Sequence, residues 1–127
     1  MLNHIVIMGR LTAAPELRYT QSNTPVASFT LAVDRDYQQG GSKKQTDFIP
    51  CVAWRGTAEF VSKYFTKGSM AAVSGRLQLR DWTDKDGNKR RTAEVVAESV
   101  YFGESKKRDT SPDVPFEEIP DDGELPF

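Results

Sequence analysis

The stretch TDFIPCVAWRGTAEFVSKYFTKGSMAAVSGRLQLRDW, residues 46–82, contains three hydrophobic rhythms in succession. Residues 46–54 read as a strand, because period 2 puts Phe48 and Trp54 on one face and Ile49 and Cys51 on the other. Pro50 inside that strand marks an edge or a bulge, since it cannot donate to a central ladder. The rhythm then changes. In GTAEFVSKYFTKG, Phe60, Val61, Tyr64 and Phe65 form an apolar stripe of helical period, with Thr57 positioned to cap the helix and Gly68 to stop it. From residue 70 the alternation returns, with Leu77, Leu79 and Asp81 opposite Arg76, Arg80 and Trp82. The stretch therefore predicts strand, helix, strand.

Working outward, KRRTAEVVAESVYF (89–102) is another long strand, joined to the preceding one by DKDGN, whose Asp-Gly is a strong hairpin signal. On the N-terminal side, PVASFTLAVD (25–34) places Ala27, Phe29, Leu31 and Val33 on one face and Ser28 and Thr30 on the other. A Gly-Gly-Ser-Lys-Lys loop between this strand and residue 46 suits a hairpin tip. NHIVIMGRL (3–11) is apolar on both faces, Ile5 and Ile7 against Val6 and Met8, so it needs two covers. One is the domain interior and the other fits a second subunit. Gly-Arg-Leu occurs at 9–11 and 75–77, and glycine inside a strand marks a corner or a close backbone approach. Five strands with one helix between the third and fourth is the order of an OB-fold, a Greek-key barrel used mainly to hold oligonucleotides. The predicted fold is thus all-β with one short helix, an OB domain over residues 1–103. Residues 104–127 lose all periodicity and read as a disordered acidic tail.

Charge divides at the same place. Residues 1–108 carry all 17 Lys and Arg and 11 of the 18 Asp and Glu, for a net +6, while residues 109–127 carry −7. A basic body suits a polyanionic partner and leaves the tail a different role. The single Cys51 excludes an internal disulfide, fits a reducing compartment, and reads as a small buried apolar residue. With neither an apolar run of membrane-spanning length nor a secretion signal at the start, the expectation is a cytoplasmic, nucleoid-associated protein with no membrane partner.

The candidate site follows from shared faces. Trp82 lies beside Arg76 and Arg80 if the leucine face is buried, and Phe48 points away from Ile49 and Cys51. Val52 shares the face of Trp54, so Trp54 fits either an interior or an outward position. Tyr37 stands just before Lys43 and Lys44 on the hairpin loop. Aromatic rings interleaved with cations suit single-stranded nucleic acid, which offers base faces and phosphates. Other chemistry finds no support. DKDGN has its glycine at the wrong offset for a calcium loop. His4 is the only histidine, and no phosphate-cradling Gly-x-x-x-x-Gly-Lys motif occurs. No cofactor or metal is expected, and no enzymatic activity.

The segments GRLTAAPELRYT, VASFTLAVDRDY, QTDFIPCVAW, AEFVSKYFTKGS, VSGRLQLRDWTDKDG and the terminal DDGELPF resemble, in order and spacing, the bacterial and phage single-stranded DNA-binding proteins. The resemblance implies an OB-fold assembled as a homotetramer. It implies base stacking at Tyr37, Phe48, Trp54 and Trp82, and basic contacts at Arg18, Lys67 and Arg80 with Lys43 and Lys44. It also makes the tip, Asp121, Asp122, Gly123, Glu124, Leu125, Pro126 and Phe127, a docking peptide for replication, recombination and repair proteins. Two departures stand out. The linker is short and lacks a long Gly/Gln/Pro-rich stretch, and Phe48 and Tyr37 replace the tryptophan of some relatives. An RNA-binding domain of the cold-shock type would concentrate its aromatics in short repeated strand motifs, which are missing here. An OB-fold nuclease would need fixed carboxylates, which the structured part does not cluster.

Overall fold

The computed structural model describes residues 1–36 and 45–104. Among these residues the chain forms β1 (Ile5–Leu11), β2 (Glu16–Tyr19), β3 (Pro25–Asp34), β4 (Thr46–Trp54), α1 (Arg55–Tyr64), β5 (Met70–Thr83) and β6 (Lys89–Phe102). The sheet runs β1-β5-β6-β4-β3-β2, and β1 also pairs with β3 through Arg10↔Ala32 and Leu11↔Leu31. That last pairing closes β1, β3, β4, β5 and β6 into a barrel. The short strand β2, absent from the five-strand reading, lies along β3 outside the closed ring. Its four residues, Glu16–Tyr19, are all exposed, and the single Leu17/Tyr19 repeat is too short to announce a strand. No helix among the described residues is long and apolar enough to cross a membrane.

Strand β3 carries the core as its alternation predicts. Ala27, Phe29 and Leu31 are buried and Val33 packs against them. They meet Cys51 and Ala53 from β4, Val73 from β5, and Val95 and Ala97 from β6. The β4–β6 pairing is parallel and spans only Cys51–Ala53. Pro50 immediately precedes it, at the local edge where a missing N–H is tolerated.

The two Gly-Arg-Leu glycines sit at barrel corners. A Cβ on Gly9 would collide with the carbonyl of Ala32, where β1 turns from β5 towards β3. One on Gly75 would collide with the carbonyl of Val96, beside the register shift between Ser74 and Gly75. In both cases the obstacle is backbone, which cannot swing aside. Gly75→Ala is expected to destabilise the domain by about 1–3 kcal/mol, the usual range for overpacking. Urea unfolding at neutral pH measures it, and an unchanged midpoint would refute the close approach.

The helix differs from its expected capping. The N-cap position belongs to Trp54, which makes no side-chain cap bond, and Thr57 lies inside the first turn. Arg55 adopts a left-handed φ of 54°, so the chain passes from β4 to α1 within one residue and begins before Thr57 can cap it. At the other end the helix stops at Tyr64, and Phe65 N–H bonds Val61 O at 3.0 Å. Gly68, with φ 90°, serves the following turn and donates its N–H to Leu11 O at 2.8 Å. Tyr64 falls outside the buried stripe and is half-exposed, while Ala58, Val61 and Phe65 fill it.

The leucine face of β5 is also not buried as expected. β5 and β6 each run 14 residues, but β1 covers β5 only from Met70 to Gly75. Beyond that the hairpin projects as a two-stranded arm, and Leu77 and Leu79 are 45% and 55% exposed. Asn3 holds the base of the arm, its Nδ2 donating to Leu77 O and its Oδ1 accepting from Leu77 N. On β1, Val6 and Met8 are 64% and 54% exposed, so among the described residues of one chain nothing covers the second face.

Candidate nucleic-acid interface

The outward faces of β3 and β4 form the floor of an open groove of about 980 Å³. Ser28 and Thr30 of β3 and Pro50, Val52 and Trp54 of β4 line it. Arg18 and Tyr19 of β2 form one wall, and Arg80 and Glu94 reach it from β5 and β6. The alternation that buries Ala27, Phe29, Cys51 and Ala53 turns these residues outward. Trp54 is 41% exposed, which resolves its two sequence readings in favour of the outer face. The groove is mixed in character, with an indole, a phenol and two guanidinium groups around a floor that joins the hydroxyls of Ser28 and Thr30 to the apolar Pro50 and Val52.

Of the remaining expected residues, those described are exposed but lie outside the lining of this groove. Trp82, also 41% exposed, stands on the projecting arm, where Asp81, Trp82, Thr83, Lys89, Arg90 and Arg91 surround a second hollow of about 640 Å³. Its indole N–H donates to Thr92 Oγ1 at 2.8 Å, which orients the ring without burying it. Phe48 is 66% exposed opposite Ala32, at the far end of β4. Arg76 and Arg80, four residues apart, share one face of β5, opposite Val96 and Thr92. Lys67 is exposed in the turn that bonds Leu11, next to the groove residue Thr12. Tyr37, Lys43, Lys44 and the tip Asp121–Phe127 lie outside the described residues.

Two acidic side chains stiffen the supports of the site. Arg35 grips Asp47 through Nε–Oδ2 at 3.0 Å and Nη2–Oδ1 at 2.8 Å, across the base of the β3–β4 hairpin. The hydrogen bond from Arg35 holds the Asp47 carboxyl below its ordinary range. In the arm's turn, Asp84 accepts from the backbone N–H groups of Asn88 and Asp86 and from Arg90 Nε, and the Asn88 bond leads in lowering its pKa. Burial, with a smaller contribution from the charge of Glu94, pushes the Cys51 thiol up to about 12, so it is a packed apolar group rather than a nucleophile. Among the described residues, no three His, Cys, Asp or Glu side chains gather as metal ligands.

Comparison with known proteins bears on this geometry. Residues 2–103 match the model of the "Single-strand binding protein family". The chain belongs to that family. It is 50% identical over 107 residues to "Single-stranded DNA-binding protein 3" of Listeria innocua, covering 84% of this chain and 67% of the relative. It is 49% identical over 106 residues to "Single-stranded DNA-binding protein A" of Bacillus subtilis, covering 84% and 62%. With the "Single-stranded DNA-binding protein" of Caldanaerobacter subterraneus it shares 42% identity over 135 positions, covering 96% and 90%. Against the first two, then, the match spans about two thirds of the relative's length. The closed five-stranded barrel with one helix is the OB-fold of this single-strand binding family.

Sequence reasoning missed three residues of this outer surface. Tyr19 lines the groove and is 56% exposed. Its strand is too short for one Leu17/Tyr19 repeat to stand out, though an aromatic beside Arg18 was a usable signal. Glu94 and Glu98 were also missed, because a glutamate in a strand full of charges carries no mark of its partner. They pair with Arg80 and Arg76, each at 3.3 Å.

Proposed function

We propose that this protein binds single-stranded DNA without sequence preference, covering and protecting it during replication, recombination and repair. The observation that carries the reading is Trp54 with Arg18 and Arg80 around one open groove, in a chain of the single-strand binding protein family. Bases stack on Trp54, Phe48, Trp82 and Tyr37, while Arg18, Lys43, Lys44, Lys67, Arg76 and Arg80 meet phosphates. Every base has a π-face, so stacking holds a strand while discriminating little among sequences. A duplex hides those faces and is bound poorly. Positioning and charge neutralisation are the whole mechanism; the protein is not an enzyme.

In this reading residues 1–103 are the DNA-binding domain and the chain works in the cytoplasm, at the nucleoid. It assembles as a homotetramer, which the exposed Val6 and Met8 and the family resemblance support. The acidic tail from residue 104 ends in a tip that docks replication, recombination and repair proteins. Leu125, Pro126 and Phe127 enter an apolar pocket on the partner, and Asp121 and Asp122 meet its basic rim.

One titration series tests the reading. Full-length protein and a chain lacking residues 121–127 are titrated with labelled oligo-dT, its duplex with oligo-dA, and the matching RNA oligomer. Both chains are expected to bind oligo-dT far more tightly than duplex. The truncated chain is expected to bind slightly tighter at low salt, where its lost negative charge is least screened. It is also expected to lose capture of repair and replication proteins. A sequence-specific duplex footprint, or degradation of the oligomer with magnesium, would refute the binding role. Partner capture unchanged by the truncation would refute the docking role.

A further inference from the structure

Two of the three arginines that face DNA in this reading, Arg76 and Arg80, already hold a carboxylate. Arg80 Nε lies 3.3 Å from Glu94 Oε1, and Arg76 Nη1 lies 3.3 Å from Glu98 Oε2. Both pairs link β5 to β6 on the outward face, the one that carries Trp82. The two differ in depth. The Glu94 side chain is only 12% exposed while that of Arg80 is 53% exposed, so the carboxylate is sunk below the cation that caps it. In the second pair the exposures are 46% for Arg76 and 54% for Glu98. Glu94 and Arg80 line the groove together with Arg18 and Trp54. The contact uses Nε of Arg80, and a carboxylate held there competes with a phosphate for the charge of the same guanidinium.

We propose that Glu94, and more weakly Glu98, act as internal phosphate mimics that compete with DNA for Arg80 and Arg76. This rests on the single-strand binding role proposed above and specifies how that binding is limited. A strand that enters the groove exchanges one ion pair for another. Arg80 leaves a carboxylate to meet a phosphate, and the mostly buried Glu94 is left close to the DNA's negative charge. The exchange keeps Arg80 from adding its full share to affinity. It also lowers the number of counterions released, because an arginine neutralised in advance contributes little to the salt dependence. When the strand departs, Glu94 recaptures the guanidinium, so release leaves no bare cation in the groove. The arrangement favours a protein that holds DNA and yet yields it.

The test is the affinity of full-length variants for oligo-dT at several salt concentrations, with folding checked by thermal melting. Glu94→Gln keeps the shape and a hydrogen-bond acceptor while removing the charge. It is expected to tighten binding about three- to tenfold at low salt, the modest size typical of a single charge contact. The slope of log K against log salt should steepen by up to about 0.7, the value of one additional single-strand phosphate contact. The gain should vanish in an Arg80→Gln background, because the mimic acts through that arginine. Glu104→Gln is the control. It removes one carboxylate from a pair with Arg10, outside the groove lining, and should change neither affinity nor slope. If Glu94→Gln does not fold, Glu98→Gln at the half-exposed second pair carries the same test through Arg76. Weaker binding would mean that the glutamate positions the arginine for phosphate, which overturns the proposal. So would unchanged affinity, or a gain that survives loss of the arginine. Failure of the unaltered protein to bind oligo-dT would instead refute the underlying binding role.

Discussion

Trp82→Ala is expected to weaken binding to oligo-dT by about five- to a hundredfold while leaving the barrel folded. Loss of a base–aromatic stack costs about 1–3 kcal/mol per base, and this ring lies on an arm away from the core cluster. The indole is 41% exposed and held by one hydrogen bond to Thr92, so its removal opens no sealed cavity. Trp82→Phe separates two contributions. It retains a π-face but loses the N–H that fixes the ring plane, and should recover most of the lost affinity. Fluorescence titration with oligo-dT and thermal melting of each variant supply the comparison. Should Trp82→Ala bind normally and melt early, the ring would be structural and the arm no part of the DNA path.

The second large effect concerns assembly. Val6 and Met8 lie on the outer face of β1, and Met8, Ala72 and Tyr101 are in register across β1, β5 and β6. Tyr101 is itself 59% exposed, so this face presents a broad apolar area to solvent in a single chain. Burying a Val or Met side chain contributes about 1.5–3 kcal/mol. In a two-fold contact every residue is used twice, so a substitution acts on both sides of the interface. Met8→Asp places an unpaired carboxylate there at a cost of several kcal/mol per chain. Sedimentation at micromolar concentration should show a tetramer for the unaltered protein and smaller species for Met8→Asp. The fold should persist, because Met8 is half-exposed within one chain. A tetramer unaffected by Met8→Asp would place the interface elsewhere, and a monomeric unaltered protein would remove it.

Much of the site was readable from alternation alone. The β3 pattern PVASFTLAVD settles which side chains enter the barrel, since period 2 leaves no other way to bury Ala27, Phe29 and Leu31 together. It follows that Ser28 and Thr30 point outward, where they line the groove. The same logic carries Phe48 to the outer face of β4 and Arg76, Arg80 and Trp82 to one face of β5. Glycine positions were legible too, since Gly9 and Gly75 stand where the backbone crowds a neighbouring carbonyl.

Alternation names two faces of a strand but does not say which of them is covered, or for how far. The leucine face of β5 illustrates this: its pattern implies burial, yet β1 stops at Gly75 and leaves Leu77 and Leu79 on a bare arm. Thr57 has the chemistry of a cap, but the left-handed turn at Arg55 starts the helix three residues earlier than that cap would. The pairing of Arg80 with Glu94 depends on the β5–β6 register, which a one-residue slip would abolish. Residue type and local period thus determined the longer strands, the inward faces of β3 and β4, and the outward placement of Phe48, Arg76, Arg80 and Trp82. Strand ends, cover and charge partners were decided only by the closed barrel, because each depends on residues distant in the chain whose positions no local pattern encodes.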